Sequence, residues 1–293
     1  MYAEVSPFAR RVRLGAAIRQ LRGTSTTTAV ARAAGIDRTV VSKIEAGERR
    51  AGLDTILKVL DVLPIGESSR QYRTLQRVAR DGLARGWWDD PQYAGMGERQ
   101  VRTADLECGA TIREYQSSML PGLLQTEAYA RHRGEVALGK GAAFDLEAAG
   151  RGRLRRQRQV LDRDASDPVY HVVLEPQAIW RCPVPRGIMR EQLRHLHKLA
   201  TTATHLSIRI LPVDAPLGQG WVPRAPFSVY DYGDPDDLTL VVVDTVTTDL
   251  LITEPAEAAD YAQTFDELRE NALSAKDSAE LIQQAADAAS VDA

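Results

Sequence analysis

Residues 33–47 read Ala-Ala-Gly-Ile-Asp-Arg-Thr-Val-Val-Ser-Lys-Ile-Glu-Ala-Gly (AAGIDRTVVSKIEAG), and this stretch decides the fold of the first part of the chain. Gly35 allows a sharp turn after a helix, and Asp37 is a natural N-cap for the next one. Val40, Val41 and Ile44 give that next helix a buried side, and Gly47 closes it. Arg38, Thr39, Ser42 and Lys43 fall on the positions that face away. A helix so placed fits a DNA major groove, where Arg or Lys can donate to guanine and Thr or Val can touch a thymine methyl.

The sequence on either side reads as more short helices. Leu14, Ile18 and Leu21 recur at helical spacing before Gly23, and the run Thr24 to Thr28 supplies a turn and a cap. Ala29, Val30, Ala33 and Ala34 make a small apolar second helix. Leu53, Ile56, Leu57, Leu60 and Leu63 fill a fourth, stopped by Pro64. Residues 1–64 are therefore expected to form a compact all-α helix-turn-helix domain. Its charge agrees: residues 1–63 carry eleven basic and six acidic side chains, a net of +5, whereas the whole chain is −3 and the remainder −8. A basic module on an acidic body is the asymmetry expected when one end meets phosphates. One module neutralises few phosphates, so operator binding calls for a homodimer reading two half-sites of double-stranded DNA.

Over residues 10–63 the chain resembles the phage-repressor-like (XRE) helix-turn-helix family, and AGIDRTVVSKIEAG is similar to that family's turn and recognition helix. The resemblance implies that Arg38, Thr39, Val40 and Lys43 face base edges and that Asp37 and Ser42 sit nearer the DNA backbone. It also implies an Arg22–Glu45 pair tying the first helix to the recognition helix. The family usually opens its second helix with Thr-Gln, the Gln contacting phosphate; here that backbone position is Thr27.

Residues 65–105 read as a helical connector, with Tyr72, Leu75 and Val78 recurring before Gly82, Gly86 and Pro91 break the pattern. Residues 106–275 change to mixed α/β (α+β) character. Strands are expected at Ala110–Tyr115, Val169–Leu174, Leu206–Leu211, Phe227–Tyr232, Leu238–Val243 and Asp249–Thr253. The cluster Gly233-Asp234-Pro235-Asp236 predicts a hairpin turn. Helices are expected at about 127–137, 145–162, 187–202 and 255–273, and the Ala-rich tail 276–293 reads as one more. The expected whole is a four-to-five-helix domain followed by a mixed α/β domain that dimerises and senses a partner or ligand.

The stretches GATIREYQSSMLPGLLQTEAYAR (109–131), IMREQLRHL, LSIRILP and ADYAQTFDELRENAL carry a second resemblance, to actinobacterial WhiJ-like regulators, over roughly residues 100–285. That resemblance implies a small, separately encoded partner protein. It leaves two readings open: a regulator that receives a signal, or an antitoxin-type protein that neutralises the partner and autoregulates its operon.

Several features invite sharper chemistry. Leu120-Pro121-Gly122-Leu123-Leu124 reads as a turn packed into the core ahead of a helix capped by Thr126, the alternative being an exposed loop gripped by a partner. Arg151, Arg153, Arg155, Arg156 and Arg158 read as a solvated helix face paired with Asp162, Asp164 and neighbours, the alternative being an anion site. Asp231, Asp234, Asp236 and Asp237 fall in the expected hairpin turn, where Asp is favoured anyway. Trp87, Trp88 and Trp221 could stack on a ligand, although aromatics beside Gly and Pro more often close a core edge. His195 and His197, two apart on a helix, point about 200° away from each other and cannot share an ion; Cys182 and His171 lie on unrelated segments. No metal site is expected.

There is no G-x-S-x-G, P-loop or G-x-G-x-x-G at a strand-to-helix turn, so neither a catalytic residue nor a cofactor is expected and the chain reads as a non-enzyme. Cys108 and Cys182 have no paired spacing, which fits a reducing compartment. The first residues have no signal-like apolar core, and nowhere do eighteen apolar residues run together. A cytoplasmic protein without membrane spans is expected.

Overall fold

The computed structural model describes residues 3–48, 50–163, 169–217, 222–245 and 248–289. They divide into two compact units. The first comprises Met1–Asp90, Cys108–Ala110 and Asp231–Leu238; the second comprises Pro91–Glu107, Thr111–Tyr230 and Thr239–Ala293.

The first unit is helical. Helix α1 (Pro7–Arg22) starts at Ser6, whose hydroxyl accepts from Ala9 N at 2.9 Å. It is followed by α2 (Thr27–Ala34), α3 (Arg38–Glu45), α4 (Leu53–Asp61) and α5 (Arg70–Gly82). One core joins all five: Leu14 and Ile18 from α1, Val30 from α2, Val41 and Ile44 from α3, Val59 and Leu60 from α4, and Tyr72, Leu75 and Val78 from α5. The recurring apolar residues of α5 thus fill the same core as the four helices before them, and Tyr72 Oη donates to Asp61. Two chain segments from further along complete the unit. Ser6 N donates to Cys108 O at 2.9 Å, and the turn at 233–237 meets the first turns of α1. Trp87 and Trp88 are both buried and pack edge to face, with ring centroids 5.7 Å apart. They therefore close a core edge rather than present a stacking surface; Trp221 lies outside the described residues.

The second unit is built on a sheet. Its strands are β1 (Ala110–Gln116), β2 (Tyr170–Leu174), β3 (Leu206–Ile210), β4 (Phe227–Tyr232), β5 (Leu240–Val243) and β6 (Leu250–Ile252), in the spatial order β3-β2-β1-β4-β5-β6. β1, β2 and β3 pair in parallel, with Glu114 opposite Val172 and Tyr170 opposite Leu206. β4, β5 and β6 pair antiparallel. Parallel neighbours need helical crossovers. Helix α6 (Glu98–Glu107) precedes β1; helices α7 (Glu127–Gly139) and α8 (Leu146–Leu161) connect β1 to β2, while α9 (Pro176–Trp180) and α10 (Arg186–Thr202) connect β2 to β3.

Alternation along the strands assigns the two faces. Tyr115, Val173, Phe227, Val229, Val241 and Val243 pack against Phe265 and Leu268 of α11 (Pro255–Asn271). Helix α12 (Ala275–Ala288) packs on α10 and β3, where Ile210 N donates to Ser278 Oγ at 3.0 Å. The loop before α7 is core: Leu120, Leu123 and Leu124 are buried, and Gln192 of α10 donates to Leu124 O and accepts from Thr126 N. The turn-plus-core reading of 120–124 is the one observed. No described helix is long and apolar enough to cross a membrane.

Candidate nucleic-acid interface

Helices α2 and α3 meet through the turn at Gly35, which sits at φ 66°, a left-handed conformation that costs glycine nothing and a side-chained residue about 1 kcal/mol or more. Ile36 N then donates to Ala31 O at 3.0 Å, ending α2. Asp37 caps α3: its Oδ1 accepts from Thr39 N at 2.7 Å and also from the Thr39 hydroxyl. The Thr39 hydroxyl, first among these contacts, holds the Asp37 carboxyl below its ordinary range.

The two sides of α3 differ sharply. Val41 and Ile44 are buried, and Val40 is half-buried against the same core. Arg38, Thr39 and Lys43 are exposed, Ser42 is half-buried, and Asp37 is exposed at the start. Thr27 is the first residue of α2 and half-buried; the cap of that helix is Thr26, whose Oγ1 accepts from Ala29 N at 3.1 Å. The outward row that the sequence placed at 38, 39 and 43 is therefore open to solvent.

Helix α1 is the ledge on which α3 rests. Arg22 Nε donates to Glu45 Oε1 at 2.7 Å, and its second guanidinium nitrogen donates to Glu45 Oε2 at 3.2 Å. Arg19 donates to Glu45 O at 3.1 Å. At Gly15 the backbones nearly touch: a Cβ there would lie 2.5 Å from Glu45 O and 2.6 Å from Ile44 O.

Two families match the chain, one over each part. Residues 16–68 match the family described as Helix-turn-helix, so the first unit carries a DNA-binding helix-turn-helix of the XRE type. Residues 101–284, more than half of the chain, match the family described as Domain of unknown function (DUF5753). The chain belongs to the DUF5753 family. Among curated proteins and among solved structures nothing matches it.

The DUF5753 domain holds a polar cluster where an apolar core would be usual. Arg156 of α8 is buried and bonds Glu107 at 2.8 and 2.5 Å, and Arg163 donates to Glu107 O at 2.7 Å. Arg153 donates to Gly122 O at 3.1 Å, and burial, with Arg156 beside it, pushes its pKa down to about 10. The solvated-face reading of the arginine run is thus corrected. Ala149, Gly152, Arg156 and Val160 form the inner side of α8, and Arg156 is drawn inward by the carboxylate of Glu107. Arg151, Arg155 and Arg158 are exposed, and Asp164 lies outside the described residues.

Beside that pair, Glu114 of β1 accepts from Tyr170 Oη and from Gln116 Nε2 at 2.9 Å, and Gln116 also donates to Asp244 at 3.2 Å. Burial pushes the Glu114 carboxyl up to about 7, against the lowering effect of those two hydrogen bonds. Tyr170 and Tyr230 are buried with it, and both phenols are raised well above their ordinary value by burial and the nearby carboxylates. The spacing carried a signal, because alternation along β1 puts Glu114 on the same face as the buried Ala110 and Ile112, but nothing local marked Tyr170, on another strand, as its partner. His195 and His197 gather no further ligand, and among the described residues no group of three or more His, Cys, Asp or Glu could hold a metal ion.

Sequence reasoning also missed the partners of the aspartates in the hairpin turn. Arg10 and Arg13 of α1 bond Asp234, Asp236 and Asp237 at 2.8–3.2 Å. The signal was present as two arginines three apart on one helix and three aspartates within four residues.

Proposed function

We propose that the chain is a cytoplasmic, sequence-specific transcriptional regulator that lays α3 in the major groove of double-stranded DNA. The observation that carries this reading is the division of α3 between buried Val41 and Ile44 and open Arg38, Thr39 and Lys43. Arg38 and Lys43 reach base edges as donors, most naturally to guanine. Thr39 acts differently, because its hydroxyl proton is engaged by Asp37. It offers a methyl group and acceptor lone pairs, which suit a thymine methyl or a cytosine amino group. Val40, half-buried, adds apolar contact at the edge of the row. Thr27 and Ser42 meet the DNA backbone, and Asp37 serves there by holding the first turn of α3 in place.

The DUF5753 domain supplies the remaining functions: homodimerisation, so that two modules read two half-sites, and reception of a small partner protein or ligand. The resemblance to WhiJ-like regulators supports the partner, and the few phosphates that one module can neutralise support the dimer. The test is genome-wide mapping of bound sites combined with affinity capture of the intact protein. The expected result is a palindromic site bound by a dimer, with one small protein co-purifying. Binding without sequence preference would refute the reading.

A further inference from the structure

Helix α1 is held at both ends, and only one of them touches α3. Towards its C-terminal half, Gly15, Arg19 and Arg22 set the height and angle of α3 through Ile44 and Glu45. Towards its start, Arg10 and Arg13 are buried, their side chains 10% and 8% exposed. Arg10 Nη1 bonds Asp234 Oδ2 at 3.0 Å and Asp237 Oδ1 at 3.1 Å. Arg13 Nη1 bonds the same two oxygens at 2.8 and 3.2 Å, and its other terminal nitrogen bonds Asp236 Oδ2 at 2.8 Å. The turn is itself fixed by Asp236 N donating to Asp234 Oδ1 at 3.1 Å and Asp237 N donating to Asp234 O at 2.9 Å.

A surface ion pair would add little. This cluster is different in kind: the Asp237 side chain is fully buried, and Arg10 Nε and Asp237 Oδ2 are buried without a hydrogen-bond partner. The Asp236 side chain, 73% exposed, is the solvent edge of the cluster, but Asp237 and the two arginines are far from water and keep one arrangement, since any other leaves a buried charge unpaired. The arginines are also withdrawn from DNA, because three carboxylates already surround them.

From this geometry we propose that Asp234, Asp236 and Asp237 are positioning residues for DNA reading: they fix α1, and through α1 they fix α3 in its groove-reading pose. The proposal rests on the reading of α3 given above. It makes the working DNA-binding body the helical unit together with residues 231–238, not the first 64 residues alone.

The test uses the full chain. Duplexes are first selected by wild type from a random library, and affinity is then measured for the selected duplex and a scrambled one at fixed salt. In Asp234→Asn/Asp237→Asn the affinity for the selected duplex should fall while that for the scrambled duplex stays level or rises, since two negative charges are lost. The ratio of the two should drop roughly fivefold or more. An unchanged ratio overturns the proposal, whether both affinities hold, rise together or fall together. If the double variant does not fold, Arg13→Lys carries the same test, because it keeps the charge but cannot bridge three aspartates. Failure of wild type to enrich any duplex would instead refute the reading of α3, and this proposal with it.

Discussion

Arg22 and Glu45 face each other across the junction of α1 and α3 in a two-pronged pair, with Nε–Oε1 2.7 Å and the second nitrogen–oxygen contact 3.2 Å. Glu45 is 7% exposed, so water cannot replace the arginine if it is lost. This one contact joins the helix that carries the DNA-reading side chains to the helix that sets its angle.

Removing one partner should therefore be costly. Arg22→Ala is expected to destabilise the first unit by roughly 1.5–3 kcal/mol, the range for hydrogen bonds to a charged group. Arg22→Ala/Glu45→Ala should be less harmful than the sum of the singles, because no buried charge is left over. Urea denaturation of the four proteins measures this. Additive losses would mean that the pair is not coupled.

Gly15 and Gly150 offer a matched contrast, since both lie inside helices and both gain helix propensity on becoming alanine. At Gly150 a Cβ meets nothing within 4 Å, and Gly150→Ala should stabilise by about 0.5–1 kcal/mol. At Gly15 a Cβ meets the carbonyl oxygens of Glu45 and Ile44 at 2.5 and 2.6 Å, which are backbone and cannot step aside. Gly15→Ala should lower the melting temperature and weaken DNA binding together. A stabilised Gly15→Ala would show that α1 and α3 are not so closely apposed.

Glu114 gives the DUF5753 domain a pH dependence. Below about pH 4.5 its carboxyl is protonated whether the chain is folded or not. As pH rises to about 7 the unfolded chain has released the proton while the folded chain keeps it, so stability falls across that window and the loss is complete above it. The total is about 3 kcal/mol. Glu114→Gln cannot titrate, so its stability relative to wild type should rise by that order between pH 4.5 and 8. Parallel stability curves for the two proteins would contradict a buried, protonated Glu114.

Much of this architecture was legible in the sequence. The helix ends at Gly23, Gly35 and Gly47 and the cap at Asp37 were readable because local chemistry alone decides them. The strand expected at Phe227–Tyr232 is observed with those bounds, and the other five are found within one or two residues. Five-residue α9 was not anticipated, since a single turn and a half leaves no periodicity to read. The order β3-β2-β1-β4-β5-β6 was also beyond reach, because pairing between distant strands depends on packing rather than local pattern. For the candidate site the same division holds. The open row at Arg38, Thr39 and Lys43 follows from helical spacing, whereas the attachment of Arg10 and Arg13 to aspartates more than 220 residues later does not. Arg156 was misread for a similar reason: five arginines on one helix look solvated until Glu107 arrives from another element.

The most direct measurement is parallel selection of bound duplexes from a random library by full-length wild type and by Arg38→Ala. Wild type should enrich a two-fold symmetric site. Arg38→Ala should enrich the same site with one base pair per half-site no longer specified, at a cost of about 1–3 kcal/mol per contact. An identical preference in both proteins would contradict the placement of α3 in the groove.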